Sequence, residues 1–241
     1  MRDRERVRRV VDSEAVPSPF EAATLGLAMK IILCAVDARL TSAWQEACGD
    51  LDFVEVHRGS ILDLKCDAVV SPANSFGFMD GGIDALDTSH FGFQLQQRLQ
   101  ELIQTRHHGE LLVGAAEIVD TDDLRIPFLI AAPTMRVPTI LRDSVNPYLA
   151  ARAILLLVRD GKFPSGMLNG ERVCDGVKSI AFPGLGTGVG RVPPDVCARQ
   201  VRQAINEVVL GQHMFPSSWL DAQIRHQKLF TDRIRDLQSD A

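Results

Sequence analysis

The residues best suited to chemistry are concentrated in the segment 67–84, DAVVSPANSFGFMDGGID. Its first part, 67–71, has the apolar character of a short buried strand. The loop that follows contains one amide side chain, Asn74, and its last carboxylate is Asp84, with the Gly81–Gly82 pair between them. This combination suits a ligand with a sugar hydroxyl and a phosphate, since backbone N–H groups of a strand-to-helix loop bind anions. The alternative is that these residues serve turn geometry alone.

A second glycine-rich loop, PGLGTGVG at 183–190, follows an apolar strand candidate at 178–182. Glycines allow a ligand to approach the backbone closely, and loops of this kind surround phosphates with N–H groups. A dinucleotide-binding G-x-G-x-x-G would require glycine at Val189 or Arg191, and a Walker A loop would require G-K-[S/T]. The pattern therefore predicts an anion-binding loop of another kind, with a purely structural loop as the alternative.

These loops must be held by the elements around them. Apolar or alternating segments predict strands at 30–36, 52–57, 67–71, 112–119, 126–132 and 178–182. Helical periodicity predicts helices at 38–48, 93–104, 146–160, 194–210 and 217–237, with one more after the first loop and a surface loop at 162–177. Asn146 is predicted to cap its helix, and the last helix to pack its apolar face on the domain.

Strands that alternate with helices predict an α/β fold, a three-layer α/β/α sandwich with a mixed, mostly parallel central sheet. If the two loop-bearing strands are parallel, both loops face one edge of the sheet. One loop then offers an amide and a carboxylate, and the other offers N–H donors. A ligand with a ribose and a diphosphate fits that arrangement.

Composition narrows the class of protein. A hydrophobic content of 46% and a charged content of 24% are typical of a globular protein, and the net charge of −5 makes nucleic-acid binding unlikely. Five scattered cysteines without metal-ligand spacing, and no signal peptide or membrane span, predict a cytoplasmic protein with reduced thiols. Residues 1–28 are predicted to be a flexible extension, with a basic nucleic-acid-binding arm as the alternative, and 29–241 to be a single domain.

Three stretches together resemble the macrodomain family, the ADP-ribose-binding α/β/α modules, over about residues 30–210. The stretch 58–61, RGSI, is similar to the family's G-D-I turn, and 67–84 is similar to its first ligand loop. The stretch 182–190, FPGLGTGVG, is similar to its diphosphate loop. The resemblance implies ADP-ribose or ADP-ribosylated protein as partner, with no cofactor and no metal, and leaves the oligomeric state open.

The resemblance also assigns roles by position. It implies that Asn74 holds the distal ribose and that Asp84 assists a metal-independent hydrolysis of mono-ADP-ribose from protein. The other ligand-binding residues that it implies are Ser60, Ile61, Ala73, Gly81, Gly82, Ile83, Gly184, Gly186, Thr187, Gly188, Val189 and Gly190. A non-catalytic reader of ADP-ribose or a related nucleotide is the alternative function, in which Asp84 only stabilises a helix N-terminus. A third hypothesis is a vestigial pocket with the C-terminal helix as a docking surface.

The sequence departs from the family at three places. Ser60 stands where the family has an aspartate that accepts a hydrogen bond from adenine, and Asp63 is the candidate substitute. Ser71 and Pro72 replace Asn-Ala, which stiffens the entry to the first loop. Gly190 stands where many members have an aromatic residue that packs on the distal ribose, so that end is expected to be more open. The glutamate pair of poly-ADP-ribose glycohydrolases is absent, which argues against cleavage of chains.

Overall fold

A computed structural model of the chain describes residues 29–72 and 74–236. For residues 82–85 it describes the backbone but not the side chains. The predicted N-terminal extension, 1–28, and the last residues, 237–241, lie outside the described residues.

The described residues form one six-stranded sheet in the order β2-β1-β6-β3-β5-β4. The strands are β1 (Lys30–Ala35), β2 (Val54–Arg58), β3 (Ala68–Ser71), β4 (Glu117–Asp120), β5 (Phe128–Ala131) and β6 (Ser179–Phe182). Neighbours are parallel except for β4 and β5, which are antiparallel. The mixed, mostly parallel sheet predicted from the sequence is confirmed. Because β3 and β6 are adjacent and parallel, the loops after them leave the same edge.

Helices cover both faces of this sheet, which confirms the three-layer sandwich. They are α1 (Ala38–Cys48), α2 (Gly82–Phe91), α3 (Phe93–Arg106), α4 (Asn146–Asp160), α5 (Val173–Gly176), α6 (Pro194–Val208) and α7 (Trp219–Lys228), with a 3₁₀ turn at Ile61–Asp63. Trp44 of α1, Ile154 of α4 and Val201 of α6 belong to one apolar cluster, and Leu99 of α3 belongs to the other. Each fully buried side chain of this size contributes roughly 1.5–3 kcal/mol.

The residues of β1 alternate between these two clusters. Ile31 and Leu33 pack with α1, α4 and α6, whereas Ile32 and Cys34 pack with α3 on the opposite face. All four are buried. A strand buried on both faces reads as a continuous apolar run, because no side of it meets water. This is why the sequence of β1 shows no polar alternation.

The strand predicted at 112–119 is shorter than expected. Only Glu117–Asp120 forms β4, and the residues before it follow an irregular path. Gly114 has a φ of +97°, which is incompatible with extended strand geometry, and Leu112 is 62% exposed. The local apolar run resembled a strand although its residues do not share one buried face.

The prediction of one long amphipathic helix at 217–237 is wrong. Helix α7 covers only Trp219–Lys228, and after it the chain turns back so that Arg235 meets the side chain of Gln227. Its Nε2 donates to Arg235 O at 2.7 Å, and its Oε1 accepts from Arg235 N at 2.9 Å. Phe230 packs partly against the core, whereas Leu220 is 48% exposed.

Two smaller predictions also need correction. The segment 162–177 is not wholly a surface loop, since Phe163 and Val173 are buried and α5 lies within it. Asn146 is the first helical residue of α4 rather than its cap, which is Val145. The Asn146 amide instead donates to Thr134 O at 2.7 Å, so it ties α4 to the chain after β5.

Candidate functional site

The loops after β3 and β6 open on a single cleft of about 440 Å³. Asn74 and Gly81 line it from the first loop, and Thr187 and Gly188 line it from the second. The two predicted loops are therefore brought together at the carboxyl edge of the sheet. The volume lies within the range of small-molecule sites, which is roughly 300–1,000 Å³.

The second loop is shaped by close contacts that only glycine permits. A Cβ at Gly184 would lie 2.4 Å from the Thr187 hydroxyl and 2.6 Å from a methyl carbon of Leu40. Gly186 has a φ of +68°, in the left-handed region that favours glycine. By contrast, a Cβ at Gly188 would meet nothing within 4 Å. Gly184 and Gly186 are thus needed for the shape of the loop, whereas the space above Gly188 is open.

The tip of this loop offers backbone N–H groups that have no acceptor in the described part of the chain. Arg191 N donates to Gly188 O at 3.1 Å and Val192 N donates to Gly186 O at 3.1 Å, which closes the turn. Within residues 29–72 and 74–236, no acceptor pairs with the backbone N–H of Thr187 or Val189. Unpaired backbone donors in a loop between a strand and a helix are suited to an anion.

In the first loop, Asn74 holds its own turn together. Its Nδ2 donates to Phe78 O at 2.7 Å, and its Oδ1 accepts from Phe76 N at 3.1 Å and from Phe78 N at 3.3 Å. Asn74 therefore does serve turn geometry, which the sequence had left open as an alternative. An amide carries two N–H hydrogens, so one remains for a ligand hydroxyl.

The chain after this turn is anchored by the helices behind it. Met79 is buried, its N–H donates to Gln96 Oε1 at 2.7 Å, and its carbonyl accepts from the Thr88 hydroxyl at 2.8 Å. Both backbone groups of one residue are thus fixed, immediately before Asp80 and Gly81, which line the cleft. This part of the loop is positioned independently of any ligand.

The turn after β2 contributes a second wall. Ser60 and Ile61 line the cleft, as does Leu62, which the sequence did not indicate. The Ser60 hydroxyl accepts a hydrogen bond from Leu62 N at 3.3 Å and caps the 3₁₀ turn, and its own hydrogen remains available. Asp63, the candidate substitute for the family's aspartate, is exposed and lies outside the lining residues.

Strand β1 also contributes to the cleft, which was not predicted from the sequence. Cys34, Val36 and Asp37 line the cleft because β1 lies beside β6 and ends at the same edge. The Asp37 carboxylate caps α1 by accepting from Arg39 N at 2.7 Å, and this hydrogen bond lowers the pKa of Asp37. A carboxylate directly after an apolar strand and before a helix is the signal that was available.

The Cys34 thiol is not poised as a nucleophile. Its Sγ is 3.3 Å from Gly59 O, and burial, with the nearby charge of Asp63, raises its pKa to about 11. A thiol is reactive only as the thiolate. All five cysteines of the chain are unpaired.

Not every predicted site residue lies in the cleft. Gly190 is buried and outside the lining residues, since its carbonyl accepts from Leu141 N at 2.7 Å and a Cβ there would lie 2.5 Å from Gly186 O. Glycine at this position fits tight packing rather than an opening toward a ribose. Ala73 lies outside the described residues. Gly82, Ile83 and Asp84 form the start of α2, directly after Gly81, with side chains that are not described.

The charged side chains that line the cleft are acidic in the described part of the chain. They are Asp37 and Asp80, and no lysine or arginine is among the described lining residues. Apolar side chains make up much of the remaining wall, including Phe78 and Val189, which are 52% and 59% exposed. An anionic ligand would therefore be bound by backbone N–H groups rather than by cationic side chains.

Outside the cleft, His90 pairs with Asp123 through Nε2 and Oδ2, 3.1 Å apart, near the end of α2. Across the described residues, no group of three His, Cys, Asp or Glu side chains is arranged to hold a metal ion. None of the described helices is long and apolar enough to cross a membrane.

Comparisons of the sequence point to one family. A family model described as Macro domain matches residues 70–201. An uncharacterised protein of Aquifex aeolicus is 30% identical over 154 residues, which cover 64% of this chain and 81% of that protein. A protein of Pyrobaculum aerophilum is 29% identical over 155 residues, which cover 64% and 75%.

Solved structures share the fold. The macrodomain of Oceanobacillus iheyensis with ADP has a TM-score of 0.51 at 19% identity, over 71% of this chain and 84% of that chain. A mutant of the same macrodomain with ADPR also has a TM-score of 0.51 at 19% identity, over 71% and 86%. At this level of identity the likeness concerns the arrangement of the elements alone.

Proposed function

The chain belongs to the macrodomain family, because the Macro domain model matches more than half of it, and we propose that its cleft binds ADP-ribose. The observation that carries the proposal is the convergence of Asn74 and Thr187 on one cleft. One residue brings a free amide N–H near a sugar, and the other belongs to a loop with unpaired N–H groups that suit a diphosphate.

The wall formed by β1 and the turn after β2 would hold the adenine. Ile61, Leu62 and Val36 provide apolar surface for the base, and the Ser60 hydroxyl offers one polar group. The ligand would then extend across the Gly184–Val189 loop toward Asn74 and Gly81. This orientation places the sugar at the end of the cleft where α2 begins.

A second candidate function is hydrolysis of mono-ADP-ribose from modified protein, favoured by the place of Asp84 in the first turn of α2 beside Gly81. In this reaction a water molecule attacks the anomeric carbon, the bond from that carbon to the protein breaks, and the leaving group takes up a proton. Asp84 would accept the proton of the water, and Asn74 would orient the ribose. Developing positive charge on the ring would be stabilised by the nearby diphosphate.

Binding is tested by titrating the full chain with ADP-ribose in a calorimeter, with matched variants of the phosphate loop. Gly188→Glu is expected to abolish binding, because it places a carboxylate in open space beside the diphosphate. Gly188→Gln, similar in size but neutral, should bind more tightly than Gly188→Glu. Equal binding by all three proteins would contradict the proposed position of the diphosphate, and no binding by the unsubstituted chain would refute the function.

Turnover is tested with a mono-ADP-ribosylated protein carrying radiolabelled ADP-ribose. The unsubstituted chain is expected to release ADP-ribose, and Asp84→Ala is expected to bind it without release. Release that is unchanged in Asp84→Ala would remove the catalytic role of this residue. Binding without release by the unsubstituted chain would leave the reader function in place of the hydrolase.

A further inference from the structure

Asp80 is a carboxylate at the cleft that has no partner among the described residues. It is exposed and lines the cleft between Phe78 and Gly81. Within the described residues, no donor forms a hydrogen bond or an ion pair with its side chain. Helix α2 has Gly81 as its N-cap and no side-chain capping bond, so Asp80 does not serve as its cap.

The position of this carboxylate is fixed by its neighbour. Met79 is held through both its N–H and its carbonyl, by Gln96 and by Thr88. Because both backbone groups of Met79 are held, the backbone of Asp80 cannot move far from the cleft. Asp80 also lies on the same loop as Asn74, at the end of the cleft assigned to the sugar.

The remaining charges of the cleft do not offset this carboxylate. Asp37, the other charged lining residue, is also an acid, and it is engaged with Arg39. An anion bound at the glycine loop therefore meets negative charge and no cationic side chain from the described lining residues. Such a site favours the ligand that carries the least charge at the Asp80 end.

Resting on the proposed function, we infer that Asp80 makes the cleft select nucleoside diphosphates whose terminal phosphate is esterified by a sugar. A free terminal phosphate has a second pKa of about 6 and is mostly dianionic at neutral pH. Esterification by ribose removes that ionisation and places neutral hydroxyl groups there instead. The carboxylate accepts hydrogen bonds from these hydroxyls, whereas it repels a terminal phosphate.

The experiment compares the affinities of the full chain for ADP-ribose and for ADP by calorimetry. In Asp80→Asn the ratio of the two affinities is expected to fall by about threefold to tenfold, as expected for one partly screened charge. Asp80→Glu, which keeps the charge, should retain most of the selectivity. The matched control is Asp52→Asn, an exposed carboxylate before β2 at the opposite edge of the sheet, which makes the same change in net charge.

A purely structural role of Asp80 at the start of α2 would change both affinities together and leave their ratio unaltered. A ratio in Asp80→Asn within twofold of that of the unsubstituted chain would overturn the inference while ADP-ribose binding stands. A fall of the same size in Asp52→Asn would also overturn it. Failure of the unsubstituted chain to bind ADP-ribose would overturn the proposed function as well.

Discussion

The side chain of Asn74 spans its loop to the backbone of Phe78, donating to the carbonyl at 2.7 Å and accepting from the N–H at 3.3 Å. This residue therefore builds the wall of the cleft as well as facing the space that a ligand would occupy. Its two tasks use different atoms, since one hydrogen of the amide remains unused. Both hydrogens belong to Nδ2, so substitutions that remove this nitrogen affect the loop and the ligand together.

Asn74→Ala is expected to lose both. The loss of hydrogen bonds within the loop should lower the free energy of unfolding by about 1–2 kcal/mol, and ADP-ribose binding should weaken by more than tenfold. Asn74→Asp keeps an acceptor for the N–H groups of Phe76 and Phe78 but loses the amide donor. Urea denaturation and calorimetry measure the two effects. If Asn74→Ala binds normally, Asn74 does not contribute to the site.

Two substitutions in the loop after β6 test whether its shape requires glycine. Gly184→Ala would bring a methyl group to 2.4 Å from the Thr187 hydroxyl, so we expect a lower melting temperature and weaker ligand binding. Gly188→Ala adds a methyl group in open space and should leave stability within about 0.5 kcal/mol of the original. Thermal denaturation measures the difference. Equal melting temperatures would mean that the loop adapts to the extra carbon.

Ser60→Asp tests how the adenine end is recognised. An aspartate can still cap the 3₁₀ turn at Leu62 N and would add a charged acceptor to the cleft. If the adenine amino group lies there, ADP-ribose affinity should rise by about 1.5–3 kcal/mol, the scale of a hydrogen bond to a charged group. Calorimetry with ADP-ribose and with ribose 5-phosphate as the control separates the base from the sugar. An unchanged affinity would mean that another group holds the adenine.

Because burial raises the pKa of several thiols, we expect the protein to lose stability at alkaline pH. Burial raises the pKa of Cys48 from 9.0 to about 11, and that of Cys197 to about 12. Well below pH 9 these thiols are protonated in both the folded and the unfolded chain, so their ionisation does not lower the free energy of unfolding. As the pH rises from 9 toward 11, only the unfolded chain releases the protons, and the free energy of unfolding falls by up to about 1.4 kcal/mol per pH unit for each thiol.

The thiol contribution is isolated by the slope of stability against pH. Cys197→Ala should reduce this slope between pH 9 and 11, even if the variant is less stable throughout because of the cavity. Cys174→Ala, at a position that is not buried, serves as the control. Urea denaturation followed by circular dichroism provides the measurement. A slope that is the same in Cys197→Ala and in the original chain would contradict the effect of burial.

The two loops were predictable because each is encoded locally. An apolar run that ends in Asn, Ser and Gly, or in four closely spaced glycines, identifies a strand and the loop at its carboxyl end. Placing Asn74 and Thr187 on one cleft needed only the further assumption that β3 and β6 are parallel, which the sheet confirms. The residue types at the carboxyl ends of β3 and β6 could therefore be predicted from short segments of the sequence.

The wall from β1 was not predictable in the same way. Nothing in the local pattern of residues 30–36 states that β1 pairs with β6, far along the chain, rather than with β3. Strand order depends on long-range packing, so the places of Val36 and Asp37 at the cleft emerged only from the structure. The requirement for glycine at position 190 was not predictable either, because it arises from close contacts with Leu141 and the Gly186 carbonyl.

The place of β1 between β2 and β6 determines where this protein can be divided. A fragment limited to residues 70–201 would lose β1 and β2, and with them Ser60 and the first part of β3. Its β6 would lose β1 on one side and the paired residues 68 and 69 of β3 on the other, which leaves backbone groups unpaired and exposes apolar side chains such as Phe182. Edges of this kind recruit strands from other molecules, so such a fragment should aggregate rather than report on the cleft.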